Sequence, residues 1–306
     1  MERSLTVNNL AKRYGAKTAL DNVSFQVKEG SCFGLLGPNG AGKSTTMKII
    51  TGIIDADSGE VDVFGQDIRK SADQIRRLIG YVPQEITLYD KISAYNNLIF
   101  FGEMYGVKGR LLKERIKEVL EQVGLSERVN DPIHTYSGGM KRRINIAAAM
   151  LHKPKLIILD EPTVGIDPQS RNHIFEIIKN LRSEGVTIIY STHYMEEVES
   201  LCDDIAIIDH GKVIVQGNLD DLLRLYATKA IYLELENQSH PPVIPGINKV
   251  SEHKKGWLLE TDEVLPSMEH TIQAVTETGT KVKALEMMKP SLESVFLSLT
   301  GTTLRD

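Results

Sequence analysis

The sequence predicts an α/β fold: a mostly parallel sheet flanked by helices, a helical insertion, and a small C-terminal α+β domain. Three observations carry that expectation. Short apolar segments alternate with amphipathic helical ones over the first two thirds of the chain. Most of those segments are apolar at every position, as strands covered on both faces must be. Strand signals lapse between Ile92 and Lys153, where helical periodicity takes over. The 306 residues suffice for one full core and a second, smaller unit. The expected division is a main domain over 1–226, with the insertion at about 92–153, and an accessory domain over 227–306.

Taken in order, strands are expected at 23–27 and 32–36, then a helix from 43 to about 51 and strands at 60–64 and 79–82. The insertion reads as helices at 94–105, 111–123 and 139–152, the last with Ile144, Ala147, Ala148 and Leu151 on one face. Strands follow at 156–160, 186–191 and 205–209. A helix at 219–226 leads to strands at 231–236 and 257–260, a helix at 268–278, a strand at 282–286 and a closing helix from Pro290. The stretch 237–246 holds three prolines and reads as a loop inside the last domain.

Composition narrows the function classes. With 41% hydrophobic and 25% charged residues, the chain is an ordinary folded protein rather than a disordered or fibrous one. A net charge of -5 argues against a partner bound by broad phosphate neutralisation, so no nucleic acid is expected. No stretch approaches the 18 or so apolar residues of a spanning helix, and Glu2 and Arg3 do not open a signal peptide, so a cytoplasmic location is expected. Cys32 and Cys202 fall in a strand and a helix segment without metal-ligand spacing; neither a disulfide nor zinc is expected.

Gly37-Pro38-Asn39-Gly40-Ala41-Gly42-Lys43-Ser44-Thr45 is a phosphate-binding loop in the context its mechanism demands, after an apolar strand and before a helix. Its glycines let backbone N–H groups turn toward phosphate oxygens at a helix N-terminus. Lys43 is expected to reach the β- and γ-phosphates and Ser44 to ligate Mg²⁺. Further on, Leu156-Ile157-Ile158-Leu159-Asp160-Glu161 is an apolar strand that delivers two carboxylates at its carboxyl end, where ligands of open α/β sheets bind. Asp160 suits a metal-holding role, and Glu161, one residue further, can point elsewhere to polarise an attacking water.

Between these two lies Ser137-Gly138-Gly139-Met140-Lys141-Arg142-Arg143, which resembles the signature of ATP-binding cassette ATPases. The resemblance spans about residues 4 to 225 and implies a P-loop NTPase core with an antiparallel β part near the N-terminus. It implies that Tyr14 stacks on adenine, that Gln84 senses Mg²⁺ and the attacking water, and that His193 contacts the γ-phosphate. Gly165-Ile166-Asp167 is similar to the family's dimer-contact loop. It further implies ATP and Mg²⁺ as ligands, and a head-to-tail dimer in which each ATP lies between Lys43 of one subunit and Ser137 of the other. The chain looks most like the single-cassette subunits of bacterial export systems, and Pro290-Ser291-Leu292-Glu293-Ser294-Val295-Phe296 resembles the end of their C-terminal extension. Two departures stand out: Tyr136 where the signature commonly has leucine, and Met140 where it commonly has glutamine.

Plainer alternatives accompany several residues. Tyr14 precedes Gly15 and could shape a turn. His193 follows an apolar strand and could be a buried, satisfied histidine. Lys141-Arg142-Arg143 reads most simply as a solvated helix face. Five of the eighteen aromatics, Tyr89, Tyr95, Phe100, Phe101 and Tyr105, fall within seventeen residues, either as the insertion's core or, for Tyr89, as an exposed anchor. The function expected is that of an ATP-hydrolysing motor subunit paired with separate transmembrane permease subunits, peripheral on the inner face of the membrane. A soluble cassette ATPase acting on ribosomes or DNA is the alternative. Against it stand a single phosphate loop and the mere ninety or so residues between Ser44 and Tyr136, where repair-type members insert a long coiled coil. A guanine-specific switch is excluded, because its nearest motif, Asn248-Lys249-Val250-Ser251, lacks the aspartate and lies outside the main domain.

Overall fold

A computed structural model of the chain describes residues 2–236 and 240–300. They form two units, the first ending at Leu219 and the second starting at Asp220.

The first unit opens on β1 (Arg3–Tyr14) and β2 (Lys17–Lys28), a hairpin turned at Gly15, whose φ of +58° favours glycine. The residue pattern did not mark β1, although the resemblance implies an antiparallel part here, and its ladder says why: register shifts on both sides of Leu10, with Asn9 at φ +48°, break the alternation of period two. After β3 (Cys32–Leu36) and α1 (Lys43–Ile50), β4 (Ser58–Val63) and β5 (Gln66–Asp67) complete an antiparallel sheet in the order β2-β1-β4-β5. A short α2 (Ala72–Arg76) leads to β6 (Ile79–Val82).

The helical stretch follows as α3 (Ala94–Met104), α4 (Gly109–Gln122) and α5 (Gly138–Met150). Then come β7 (Leu156–Asp160), α6 (Pro168–Ser183), β8 (Thr187–Thr192), α7 (Met195–Leu201), β9 (Asp204–Asp209) and β10 (Lys212–Asn218). The central sheet runs β10-β9-β3-β8-β7-β6, parallel throughout except for β10 at one edge. Every residue of β3, β7, β8 and β9 is buried, which is the reason these segments are apolar without alternation. The edge strand β10 is half exposed and polar enough to escape a hydrophobic reading. The α6 helix is additional to the expected set although its signals are present: Asp167 caps it, Pro168 starts it, and Ile174, Ile177, Ile178 and Leu181 form its buried stripe.

The two sheets share a core in which Phe25 of β2 stacks on Phe33 of β3 at 5.3 Å. Burying either ring contributes roughly 2 to 3 kcal/mol. On the far side, α5 presses on β6 so closely that a Cβ on Gly80 would lie 2.4 Å from the Ala149 carbonyl oxygen. Arg115 of α4 caps the end of α5 by donating to the carbonyls of Met150 (3.0 Å) and Leu151 (3.1 Å). Cys32 and Cys202 meet with their sulfurs 3.7 Å apart, both buried and free.

The second unit takes up α8 (Leu219–Tyr226), β11 (Ala230–Leu235), β12 (Ile247–His253), β13 (Gly256–Thr261), α9 (Val264–Thr278), β14 (Val282–Met287) and α10 (Leu292–Thr300). Its antiparallel sheet has the order β12-β13-β11-β14 around a core of Ile231, Leu233, Leu235, Leu259 and Val275. The α9 helix begins four residues before the sequence-based expectation because Pro266 sits in its first turn, where the missing N–H costs nothing. Of the proline-rich stretch, 237–239 lie outside the described residues. Among the described residues no helix is long and apolar enough to cross a membrane.

His152 illustrates how tightly the helical stretch is held. Its ring stacks on Tyr105 at 3.9 Å and its Nε2 lies 3.0 Å from the Ile79 carbonyl, a bond that requires Nε2–H. Burial pushes its pKa down to about 4. The unfolded chain binds a proton near pH 6.5 that the folded chain refuses until about pH 4, so the fold loses stability as pH falls through that window. His152→Phe should remove this liability: relative to the variant, the wild type should lose about 1 to 2 kcal/mol between pH 7.5 and pH 5, read from urea midpoints at the two pH values.

Candidate functional site

The chain leaves β3 at Leu36, turns through residues 37–42 and enters α1 at Lys43. Steric room explains two of its glycines. A Cβ on Gly37 would lie 2.1 Å from the Ile208 carbonyl oxygen, and Gly42, the N-terminal cap of α1, has a φ of +111°. The turn closes on Lys43, whose ammonium donates to the carbonyls of Gly37 (2.7 Å) and Pro38 (3.1 Å) and lies 3.1 Å from Glu161 Oε1. Those three acceptors engage its three protons, and only 4% of the side chain is exposed.

β7 supplies the opposing carboxylates. Asp160 accepts from the Ser44 hydroxyl at 3.2 Å on one oxygen and faces the Tyr81 hydroxyl at 3.5 Å on the other. Burial pushes its carboxyl above the usual range, and the Ser44 bond pulls it back. Glu161 adopts φ +47°, a left-handed turn that costs a non-glycine residue of order 1 kcal/mol. That turn separates the two side chains. Glu161 meets Lys43, accepts from Gln84 Nε2 at 3.1 Å, and lies 3.4 Å from His193 Nδ1.

Tyr14, Asn39, Gly40, Lys43, Ser44, Thr45, Gln84 and Glu161 line one cavity of about 260 Å³. Ala41 is buried behind it, and Tyr14 stays 51% exposed with Lys12 Nζ 5.8 Å from its ring centre. The cavity suits a phosphate chain with a divalent cation: a lysine and a helix N-terminus face it, and a hydroxyl–carboxylate pair stands at its edge. Ser44, Gln84 and Asp160 also line a second cavity of about 780 Å³, walled by Tyr81, Glu85, Phe101, Met104 and Tyr105.

Ser137, Gly138, Gly139 and Asp167 do not line the phosphate cavity. They gather instead at the starts of α5 and α6. Ser137 caps α5 by accepting from Met140 N at 3.2 Å, and Asp167 caps α6 by accepting from Ser170 N at 2.9 Å. That bond holds the Asp167 carboxyl below its ordinary pKa. Tyr136 is buried and donates to the Arg128 carbonyl at 2.5 Å, and the amide that serves Met140's cap belongs to its backbone.

The structure corrects one sequence reading. Lys141-Arg142-Arg143 is not a solvated face: Arg142 is 3% exposed and donates to the carbonyls of Pro83, at 2.6 Å, and of Gln84. Arg143 donates to Val123 O at 2.9 Å, and Lys141 pairs with Asp90 at 2.9 Å. No signal in the sequence marks this burial, because a helix start looks solvated until the element packed on it is known. Tyr81 also belongs to the site beside Asp160; its sole signal was its place in the strand that precedes Gln84.

Comparison with known proteins agrees with the geometry. The sequence family described as ABC transporter matches residues 20–164, and the one described as ATP-binding protein DrrA1-3-like, C-terminal domain matches residues 217–300. The chain is 48% identical to the linearmycin resistance ATP-binding protein LnrL of Bacillus subtilis (strain 168), over 99% of this chain and all of that one. It is 35% identical to the Nod factor export ATP-binding protein I of Ralstonia nicotianae, over 99% of this chain and 95% of that one. Among solved structures it resembles cbiO1 from Clostridium perfringens, part of the ABC transporter complex cbiONQ. That match has a TM-score of 0.67 at 31% identity and covers 74% of this chain and 92% of that one.

A Cβ on Gly139 would lie 2.1 Å from Ser170 Oγ and 2.3 Å from Ser170 Cβ, so α5 and α6 touch there without slack. Gly139→Ala should therefore destabilise the chain by about 1 to 3 kcal/mol. Adding Ser170→Gly should recover most of that loss, as compared by urea denaturation of the single and double variants.

Proposed function

The chain belongs to the ATP-binding cassette family and is an ATP-hydrolysing subunit of a transporter, with Mg²⁺ as its cofactor, and we propose that Glu161 is the group around which its hydrolytic site is organised. Subunits of this family dimerise and work with transmembrane permeases. The observation that carries the reading is the convergence of Lys43, Gln84 and His193 on the Glu161 carboxylate while Asp160 turns away to Ser44.

ATP enters the cavity with its phosphates against Gly37, Pro38, Asn39, Gly40, Ala41 and Gly42 and the start of α1, and its adenine against Tyr14. The γ-phosphate competes with Glu161 for Lys43, since both are anions seeking one buried ammonium. Glu161 so released accepts a proton from the attacking water, which Gln84 orients, and His193 donates to the γ-phosphate. Ser44, Asp160 and Gln84 would hold Mg²⁺, which would supply positive charge to the phosphate oxygens. Ser137, Gly138 and Gly139 face the γ-phosphate of a second, head-to-tail copy, with Asp167 at the contact, because a capped helix start favours an anion. The permease keeps the chain on the cytoplasmic face of the membrane.

The relatives named for resistance and export support an exporter. The main domain, 1–226, carries every nucleotide contact above, and the accessory domain, 227–306, serves the dimer or its regulation. Lys43→Ala should abolish Mg-ATP binding in a fluorescence titration. Glu161→Gln should keep binding while hydrolysis slows by roughly 10²- to 10⁴-fold. Wild-type turnover in Glu161→Gln would defeat the assignment.

Tyr89 marks the permease-facing surface. It is 51% exposed, its ring packs edge-on against Phe100 at 5.0 Å, and its backbone N–H and carbonyl are both bonded by the buried Asn97 side chain. An aromatic so exposed on so fixed a backbone suits an anchor for a partner helix, five residues from Gln84. Tyr89→Asp should leave Mg-ATP affinity and fold unchanged and weaken co-purification with the permease. Undiminished co-purification and transport would move the docking surface elsewhere.

A further inference from the structure

Beside the hydrolytic site lies a further buried carboxylate to which no role has been given. Glu197, on the short helix α7, is 2% exposed. One of its oxygens, Oε2, accepts from three hydroxyls: Thr163 Oγ1 at 2.9 Å, Tyr190 OH at 2.9 Å and Thr192 Oγ1 at 3.0 Å. Its other oxygen, Oε1, is buried with no hydrogen-bond partner among the described residues. Burial and the neighbouring Glu197 push the Tyr190 hydroxyl well above its ordinary pKa, so it stays a donor.

The three donors come from segments that matter. Thr163 stands two residues after Glu161, on the chain leaving β7. Tyr190 and Thr192 belong to β8, and Thr192 directly precedes His193. Thr192 Oγ1 also accepts from Tyr194 N at 3.0 Å, so the residues on both sides of His193 are fixed by one hydroxyl. Burying a carboxylate on a helix costs several kcal/mol unless it is well bonded, and a hydrophobic residue would fill the space without that cost. What a hydrophobe could not do is tie the exit of β7 to the exit of β8.

The geometry points to Glu197 as a positioning residue that sets the spacing of His193 from Glu161, 3.4 Å in this structure. It touches no substrate. By gathering Thr163 and Thr192 on one oxygen, it holds the end of β8, and with it His193, against the chain leaving β7, while Glu161 keeps its own ties to Lys43, Gln84 and the Ser191 carbonyl. Charge-assisted bonds make this clasp stiffer than neutral ones would. The inference rests on the hydrolytic reading of His193 and Glu161 given above.

The test uses the full-length chain and four variants: His193→Ala, Glu197→Ala, Glu197→Gln and His193→Ala/Glu197→Ala. Steady-state ATPase activity and a fluorescence titration with a methylanthraniloyl ATP analogue are measured on each. Because a shift of about an ångström at reacting groups costs up to about 100-fold, Glu197→Ala should lower kcat by about 10- to 100-fold, with KM and analogue affinity within about twofold of wild type. Glu197→Gln, which keeps the shape and an acceptor, should lose less. In the His193→Ala background, Glu197→Ala should change kcat by less than about twofold, since coupled residues do not add. Losses that multiply in the double variant, or wild-type kcat in Glu197→Ala, would overturn the inference. If Glu197→Ala does not fold, the same comparison is made with Glu197→Gln, and wild-type kcat there overturns it equally. A wild-type kcat in His193→Ala alone would instead defeat the underlying reading of the site.

Discussion

Two neighbouring carboxylates buried at the end of one strand are the constraint on which the rest of this structure depends. Asp160 is 1% exposed and Glu161 4%, so neither is solvated by water and each must find donors or a cation within the protein. They also repel each other. The left-handed backbone at Glu161 answers both demands by sending one side chain toward Ser44 and the other toward Lys43. Once that is fixed, α1 must start beside β7, β6 must bring Gln84 alongside, and β8 must end where His193 can reach. The parallel sheet is the device that delivers all four chain ends to one edge.

Much of this was legible in the sequence. The apolar runs gave the buried strands because burial on both faces leaves no alternation to confuse them, and β6 and β7 fall where they were expected. The turn between β3 and α1 and the two carboxylates at the end of β7 lie where the sequence puts them, because glycine-rich spacing before a helix and acidic residues closing an apolar run are both visible in one dimension. Elements on the surface of the sheet were harder. β10 is an edge strand with one wet side, and β1 carries bulges that scramble its period. The burial of Arg142 was beyond reach, since only the packed fold shows that a carbonyl pair waits at residues 83 and 84.

The two departures from the family signature lose much of their weight in the folded chain. At Tyr136 the extra hydroxyl finds the Arg128 carbonyl, so a polar atom in a buried place is satisfied within the same subunit. At Met140 the helix start is capped through the backbone amide, which any residue provides. What methionine removes is an amide side chain at a half-buried place on the first turn of α5.

The burial of Arg142 has a mechanical meaning. Its guanidinium grips the backbone at residues 83 and 84, and Thr87 is bonded to Asn145 of the same helix at 2.9 Å, so the segment after β6 is riveted to α5 at two points one turn apart. Separating them would strand a charged group in a dry place, at a cost of several kcal/mol. The segment and the helix are therefore joined, with Gln84 on the one and the Ser137 cap at the start of the other. Displacing either one carries the other with it or breaks those bonds.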